Sequence, residues 1–208
     1  MPDKTAVLGL RERKKVRTRG SIREHAMRLF LQQGFAQTSV EQIAEAAEVS
    51  PSTFFRYFPT KEEVVLDDDL DPVLLEALAA QPMELPPLVA LRRAVEGTYR
   101  ELTAEELERE DERQQLLFAV PELRAAIMRQ LFSSIDMIAG AIAERLGRSP
   151  DEFEIKVFAG AVTGAVMGGA SGPHGGIGNA VKAIELLEQG LPLSQPSPLA
   201  QTKPVAQT

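Results

Sequence analysis

The stretch from Ser39 to Phe58, SVEQIAEAAEVSPSTFFRYF, constrains the fold more than any other part of the chain. It reads as two short helices joined by a tight turn. Ser39, followed three residues later by Gln42, has the spacing of a capping box, in which hydroxyl and amide satisfy each other's orphan backbone N–H groups. Val40, Ile43, Ala44 and Ala47 then share one helical face. The second helix opens with Ser50 as N-cap and Pro51 at the first helical position, where a missing N–H costs nothing. Phe54 and Phe58, four apart, must anchor it to something apolar. Ser52, Thr53, Phe55, Arg56 and Tyr57 are left on or beside the outward face. Such a helix suits a groove with phosphate walls. The same pattern also fits a plain helical hairpin whose polar face meets water.

Charge favours the first of these. The net charge of −7 would argue against a nucleic-acid partner if it were spread evenly, but residues 1–66 hold 11 Lys/Arg against 8 Asp/Glu and residues 67–208 hold 12 against 22. Arg11, Arg13, Lys14, Lys15, Arg17 and Arg19 concentrate ahead of the motif, where they can neutralise phosphates. Residues 1–16 are expected as a basic flexible arm. A first helix should run from near Thr18, or earlier, to Gln33, with Ile22, Ala26, Leu29 and Phe30 on one face and Gly34 as a left-handed cap. A three-helix unit of this size owns little core and must lean on the helix that follows Pro59.

Many positions at fixed spacing make residues 17–62 resemble the DNA-binding domain of the TetR family of bacterial transcriptional regulators. They are Ile22, Ala26, Leu29-Phe30 and Gly34-Phe35; Thr38-Ser39-Val40, Ile43-Ala44 and Ala47; and Val49-Ser50, Thr53-Phe54-Phe55, Tyr57-Phe58-Pro59 and Lys61-Glu62. Two positions depart from the pattern: Glu48 stands where the family usually has Gly, and Phe55 where it usually has Tyr. The string from Thr53 to Pro59 is closest to the mycofactocin-type subgroup. The resemblance implies an all-α protein with a helix-turn-helix head over 17–62 and a larger ligand-binding and dimerisation domain over 63–191. It implies DNA contacts from Thr38, Ser39, Ser50, Ser52, Thr53, Phe55, Arg56, Tyr57 and Lys61, the last through a nearby phosphate. It further implies a homodimer acting as a ligand-responsive repressor on a palindromic operator in double-stranded DNA, with no cofactor and no catalysis. For the subgroup, an acyl-CoA effector is hinted.

Beyond the head, Thr60 caps a helix begun by Glu62 and Glu63, and Pro72 is expected to kink it after the acidic run Asp67-Asp68-Asp69-Leu70-Asp71. That run is better read as solvated charge than as a hard-cation site, because four acids so close together cannot all face one ion. A helical metal-binding or enzymatic bundle using it is the alternative from another class, and an architectural DNA protein without effector is a third. Residues 81–87 form a loop, about three helices follow, and Gly147 with Ser149-Pro150 ends the last of them. Arg92, Tyr99, Arg100 and Arg124, with Thr98, are weak candidates for polar contacts to a small, largely apolar effector.

Gly160, Gly164 and Gly168 then recur every four residues beside Ala161, and glycine costs up to about 1 kcal/mol within a helix. Close approach of another helix offsets that, either within one subunit or across a dimer. With Ile177, Val181 and Ile184 of a final helix, the resemblance makes this the dimer face. The tail over 192–208 is too polar and Pro-rich to fold. Without cysteine there are no disulfides, and with neither a signal-like stretch nor an uninterrupted bilayer-length apolar run a cytoplasmic, non-membrane protein is expected.

Overall fold

A computed structural model of the chain describes residues 9–67, 70–171 and 177–191. Among the described residues every regular element is a helix: α1 (Leu10–Gln33), α2 (Val40–Ala46), α3 (Pro51–Tyr57), α4 (Glu63–Leu66), α5 (Leu70–Ala79), α6 (Pro87–Arg100), α7 (Ala104–Ala119), α8 (Pro121–Leu146), α9 (Phe153–Ala170) and α10 (Ile177–Glu188). They divide into two compact units. The first takes in Met1–Asp68 and Leu116–Arg129, the second Asp69–Gln115 and Gln130–Thr208.

The first unit is built on α1. Ile22, Ala26 and Phe30 lie one turn apart and form the floor on which Phe35, Ile43, Phe54 and Phe58 pack. Val64 and Val65 of α4 close the cluster, as the small size of a three-helix head requires, and Leu117 and Leu123 complete it. Helix α1 begins at Leu10, so the part of the expected flexible arm over residues 10–16 is helical, and residues 1–8 lie outside the described residues. Arg, Lys and Glu are good helix formers, and no Gly or Pro interrupts the chain between Gly9 and Gly20. At its far end Gly34 returns its N–H to the Phe30 carbonyl and has a positive φ of +89, but with ψ 151 it is extended out of the helix rather than the expected left-handed cap.

The helix after Pro59 is broken rather than kinked. Helix α4 stops at Leu66, and Asp67 turns extended with φ −66 and ψ 117. Pro72 then falls in the first turn of α5, where its missing N–H breaks no intrahelical bond.

In the second unit α5 packs on α6, and α10 packs on both α6 and α9. The core joins Leu91 and Val95 of α6, Ile138 and Ile142 of α8, Ile155 and Val162 of α9, and Ile184 of α10. Alanines 90, 94, 139, 143, 159 and 180 between them allow close helix approach. One close approach, between α9 and α10, rests on Gly169: a Cβ there would lie 3.1 Å from the Asn179 carbonyl oxygen and 3.4 Å from Ala183 Cβ. Helices α8 and α9 are long and apolar enough to cross a membrane by length and composition, contrary to the sequence expectation, although charges flank α9. One face of each is buried in the second unit's core. The expected disordered tail, 192–208, and the Gly/Pro loop at 172–176 lie outside the described residues.

Candidate nucleic-acid interface

The head's outer surface is set by two helix starts and one turn. At α2 the capping box is complete, with Gln42 N–H donating to Ser39 Oγ at 3.2 Å and Ser39 N–H to Gln42 Oε1 at 2.8 Å. The Glu41 carboxyl is held below its ordinary range by its own backbone N–H and by the Ser39 hydroxyl. The positive end of α2 therefore already has an anion of its own. Between the helices Glu48 takes φ +54, a conformation that favours glycine, while Val49 N–H closes the turn on the Ala44 carbonyl at 2.9 Å. The departure from Gly noted at this position thus places a non-glycine residue in the left-handed region.

Helix α3 begins as its sequence demands, with Ser50 Oγ accepting from Thr53 N–H at 3.1 Å and Pro51 first in the helix. The Ser50 hydroxyl also lies 2.9 Å from the hydroxyls of both Ser52 and Thr53. Phe54 and Phe58 are fully buried with ring centroids 6.0 Å apart, so the inner face is fixed. Phe55, 52% exposed, packs edge-on against Phe54 with ring centroids 5.5 Å apart, and Ser52 and Arg56 are exposed. The Arg56 guanidinium sits 5.4 Å over the half-buried Tyr57 ring. Ser50, Ser52, Thr53, Phe55, Arg56 and Tyr57 are thus brought together on one short helix.

Three expected DNA contacts are placed otherwise. Thr38 is buried, its hydroxyl donating to the Gly34 carbonyl at 2.9 Å and accepting from Gln33 Nε2 at 3.1 Å. Ser39 is exposed, but its hydroxyl serves the α2 cap. Lys61 Nζ donates to the carbonyls of Phe35 at 2.8 Å and Thr38 at 2.9 Å and lies 4.2 Å over the Phe35 ring. These carbonyls, in the turn between α1 and α2, account for a cation that the start of α4 would otherwise disfavour.

A further surface was not legible as such. The helical extension of α1 presents Arg11, Arg13, Lys14, Lys15 and Arg17 against one carboxylate, Glu12, all exposed. With Thr53, Arg56 and Tyr57 of α3 and the Glu48 turn, it walls an open cleft of about 1410 Å³. Clustered basic residues were visible in the sequence, but their rigid placement depends on where α1 begins.

In the second unit, Gly160, Gly164 and Gly168 meet nothing within 4 Å where a Cβ would be, so they serve no close packing among the described residues of the subunit. Ala161 and Gly164 are exposed on the stripe that also carries Phe153 and Val157, 82% and 52% exposed. Val181 is only partly exposed and packs on the core. Ile184 has no exposed surface, which corrects its place in a dimer face: it faces α6 and α9 within its own subunit. Of the Ile177 side chain nothing is described. Arg92 is held by Glu96 and Glu188, whose carboxylates raise its pKa, and Arg100 and Arg124 are exposed. Tyr99 packs partly buried on the core, and Thr98 is buried beside it. Asp67 of the acidic run accepts from Arg19 and Arg23, so its charge is already met.

Known proteins are similar to both parts of the chain. Residues 22–67 match the family of bacterial regulatory proteins of the tetR type, and residues 85–172 match the MftR C-terminal domain. The HTH-type transcriptional regulator TcmR of Streptomyces glaucescens is 40% identical over 145 residues, 69% of this chain and 58% of that protein. EthR of Mycolicibacterium smegmatis, another HTH-type transcriptional regulator, is 36% identical over 96 residues, 41% of this chain and 44% of its own. The chain thus spans about half the length of these curated relatives. Among solved structures, Thermus thermophilus FadR, a transcriptional repressor in complex with lauroyl-CoA, superposes with a TM-score of 0.54 at 26% identity, covering 86% of this chain and 97% of that one.

Proposed function

We propose that this chain, which belongs to the TetR family of bacterial transcriptional regulators, is a ligand-responsive repressor that binds a palindromic operator as a homodimer. The observation that carries the reading is the outward face of α3. Hydroxyls at Ser50, Ser52 and Thr53 and the guanidinium of Arg56 stand on a helix locked from behind by Phe54 and Phe58. The cationic extension of α1 faces the same cleft, so base edges and phosphates are addressed from adjoining walls. The relatives named above are transcriptional regulators, not enzymes, and DNA as partner puts the protein's work in the cytoplasm.

The dimer is supported by the exposed stripe Phe153, Val157, Ala161, Gly164 and Gly168 on α9, which is apolar, small at its centre and open. A two-fold axis through it joins two heads. A small, largely apolar effector that prefers another spacing of the heads draws the population off DNA. The similarity to FadR, which binds lauroyl-CoA, supports an acyl-CoA-like effector.

Selection of the full chain against a pool of random duplexes, followed by footprinting, tests the reading. The recovered site should be palindromic, with half-site centres about 34 Å apart or a near multiple. A recovered site without dyad symmetry overturns it.

A further inference from the structure

Helix α3 has seven residues and is about 10 Å long, too short to hold its direction unaided. Its inner face is fixed by Phe54 and Phe58, and its first turn by the Ser50 cap. At the other end the last carbonyls of a helix lack partners within it and must find them elsewhere. Phe58 N–H meets the Phe54 carbonyl at 2.9 Å. The Tyr57 carbonyl is met from another helix, where Arg19 Nη1 of α1 donates to it at 3.0 Å.

The whole Arg19 side chain is turned to this end of α3. Its guanidinium lies 4.5 Å over the Phe58 ring. Nε donates to Asp67 Oδ2 at 3.0 Å, and Nη2 donates to the same oxygen. Arg17 and Thr18, its neighbours in sequence, line the cationic cleft beside α3, whereas Arg19 does not. By sequence it belongs with the basic residues ahead of the motif that suit phosphates. In the fold its charge is answered by a carboxylate of the head itself.

We infer that Arg19 is a positioning residue for sequence reading: it fixes the axis of α3 from its C-terminal end, so that Ser50, Ser52 and Thr53 at the other end meet base edges in register. The inference rests on the reading of α3 as the helix that enters the major groove. Hydrogen bonds to base edges tolerate a misplacement of only about 0.5 Å. Long cationic side chains follow a phosphate over larger shifts. Loosening Arg19 therefore removes discrimination and spares general affinity for DNA.

Two variants separate this role from a phosphate contact and from stability alone. Arg19→Met keeps the stem beside Phe58 and removes charge and donors. Arg19→Lys keeps the charge but cannot fork between Tyr57 and Asp67. The full chain is titrated against its selected operator and a scrambled duplex over a range of salt, at a temperature where circular dichroism shows each variant folded. Arg19→Met should lower the operator-to-scrambled ratio by about tenfold and Arg19→Lys by several-fold, the size of one or two impaired base contacts. Affinity for the scrambled duplex and the slope of log affinity against log salt should keep their wild-type values in both. The bond itself is read by NMR at the Tyr57 carbonyl. Of the two tyrosines only Tyr57 precedes a phenylalanine, so 13C-carbonyl tyrosine with 15N-phenylalanine gives one correlated signal. That carbonyl should move upfield in free Arg19→Met.

A slope lowered by about 1 in Arg19→Met, with the ratio unchanged, makes Arg19 a phosphate contact and overturns the inference. Unchanged ratio and slope leave it a stabilising residue only, and an unmoved Tyr57 carbonyl removes the bond; either result overturns the inference too. A wild type that prefers no duplex sinks the operator reading, and this inference with it. A preference that survives Arg19→Met sinks the inference alone.

Discussion

Arg19 and Asp67, separated by 48 residues, are joined by a hydrogen bond of 3.0 Å from Nε to Oδ2. The same guanidinium donates from Nη1 to the Tyr57 carbonyl at 3.0 Å and lies 4.5 Å over the Phe58 ring. Arg23 pairs with the same carboxylate oxygen. Asp67 thus ties α1 to the point where the chain leaves α4, and Arg19 in turn ties α1 to the end of α3. Asp67→Ala leaves two guanidiniums facing each other and should destabilise the protein by about 2 kcal/mol, discounted for partial exposure. Denaturant unfolding measures this, and unchanged stability contradicts the assigned role.

Lys61 and Arg56 should separate in their response to salt. Lys61→Ala strands two backbone carbonyls and should lower stability by about 1–2 kcal/mol while hardly altering the slope of log affinity against log salt. Arg56→Ala should leave stability nearly unchanged and reduce that slope by about 1. The reverse assignment of effects would mean that Lys61 leaves its carbonyls for phosphate on DNA.

Glu48→Gly should stabilise the head. A non-glycine residue at φ +54 carries strain on the order of 1 kcal/mol, partly offset by the greater freedom of glycine in the unfolded chain. The variant also removes an anion from the cleft that faces DNA, so binding to any duplex should tighten. Thermal unfolding and titration against a scrambled duplex decide both halves.

Gly164→Leu should convert a dimer to monomers without unfolding either. A Cβ at this position meets open space among the described residues of the subunit, so the added side chain should obstruct a partner's helix. Sedimentation gives the oligomeric state and circular dichroism the fold. A variant that remains dimeric removes this face from the interface.

Reading and positioning should also separate within α3. Thr53→Ala should lower the ratio of operator to random-duplex affinity by an amount on the order of 1 kcal/mol, whereas Tyr57→Phe should weaken both alike. Titrations at one fixed salt concentration settle this. If Tyr57→Phe alone collapses the ratio, the helix lies the other way round in the groove.

Local chemistry made the middle of the head legible. The Ser39–Gln42 box, the Ser50-Pro51 start and the Phe54/Phe58 anchor each depend on residues within four positions, and each stands as expected. What escaped depends on partners distant in sequence. Lys61 finds its carbonyls 26 and 23 residues away, and Asp67 its guanidinium 48 away, distances that no period reveals. Thr38 was expected at the DNA through the resemblance alone, yet its hydroxyl is satisfied locally and the residue is buried. Ile184 has the same spacing as an interface residue and a core residue, and only the placement of α6 and α9 distinguishes them.

The linked hydroxyls of Ser50, Ser52 and Thr53 bear on how much sequence information one half-site can hold. A hydroxyl rotor donates or accepts with equal ease, so the cluster can meet a thymine O4 or an adenine N6 by turning its protons, without moving an atom of the backbone. A bidentate arginine or amide has no such latitude. Operators beneath α3 should therefore drift readily in sequence while remaining occupied, which lets one regulator acquire new promoters by few base changes.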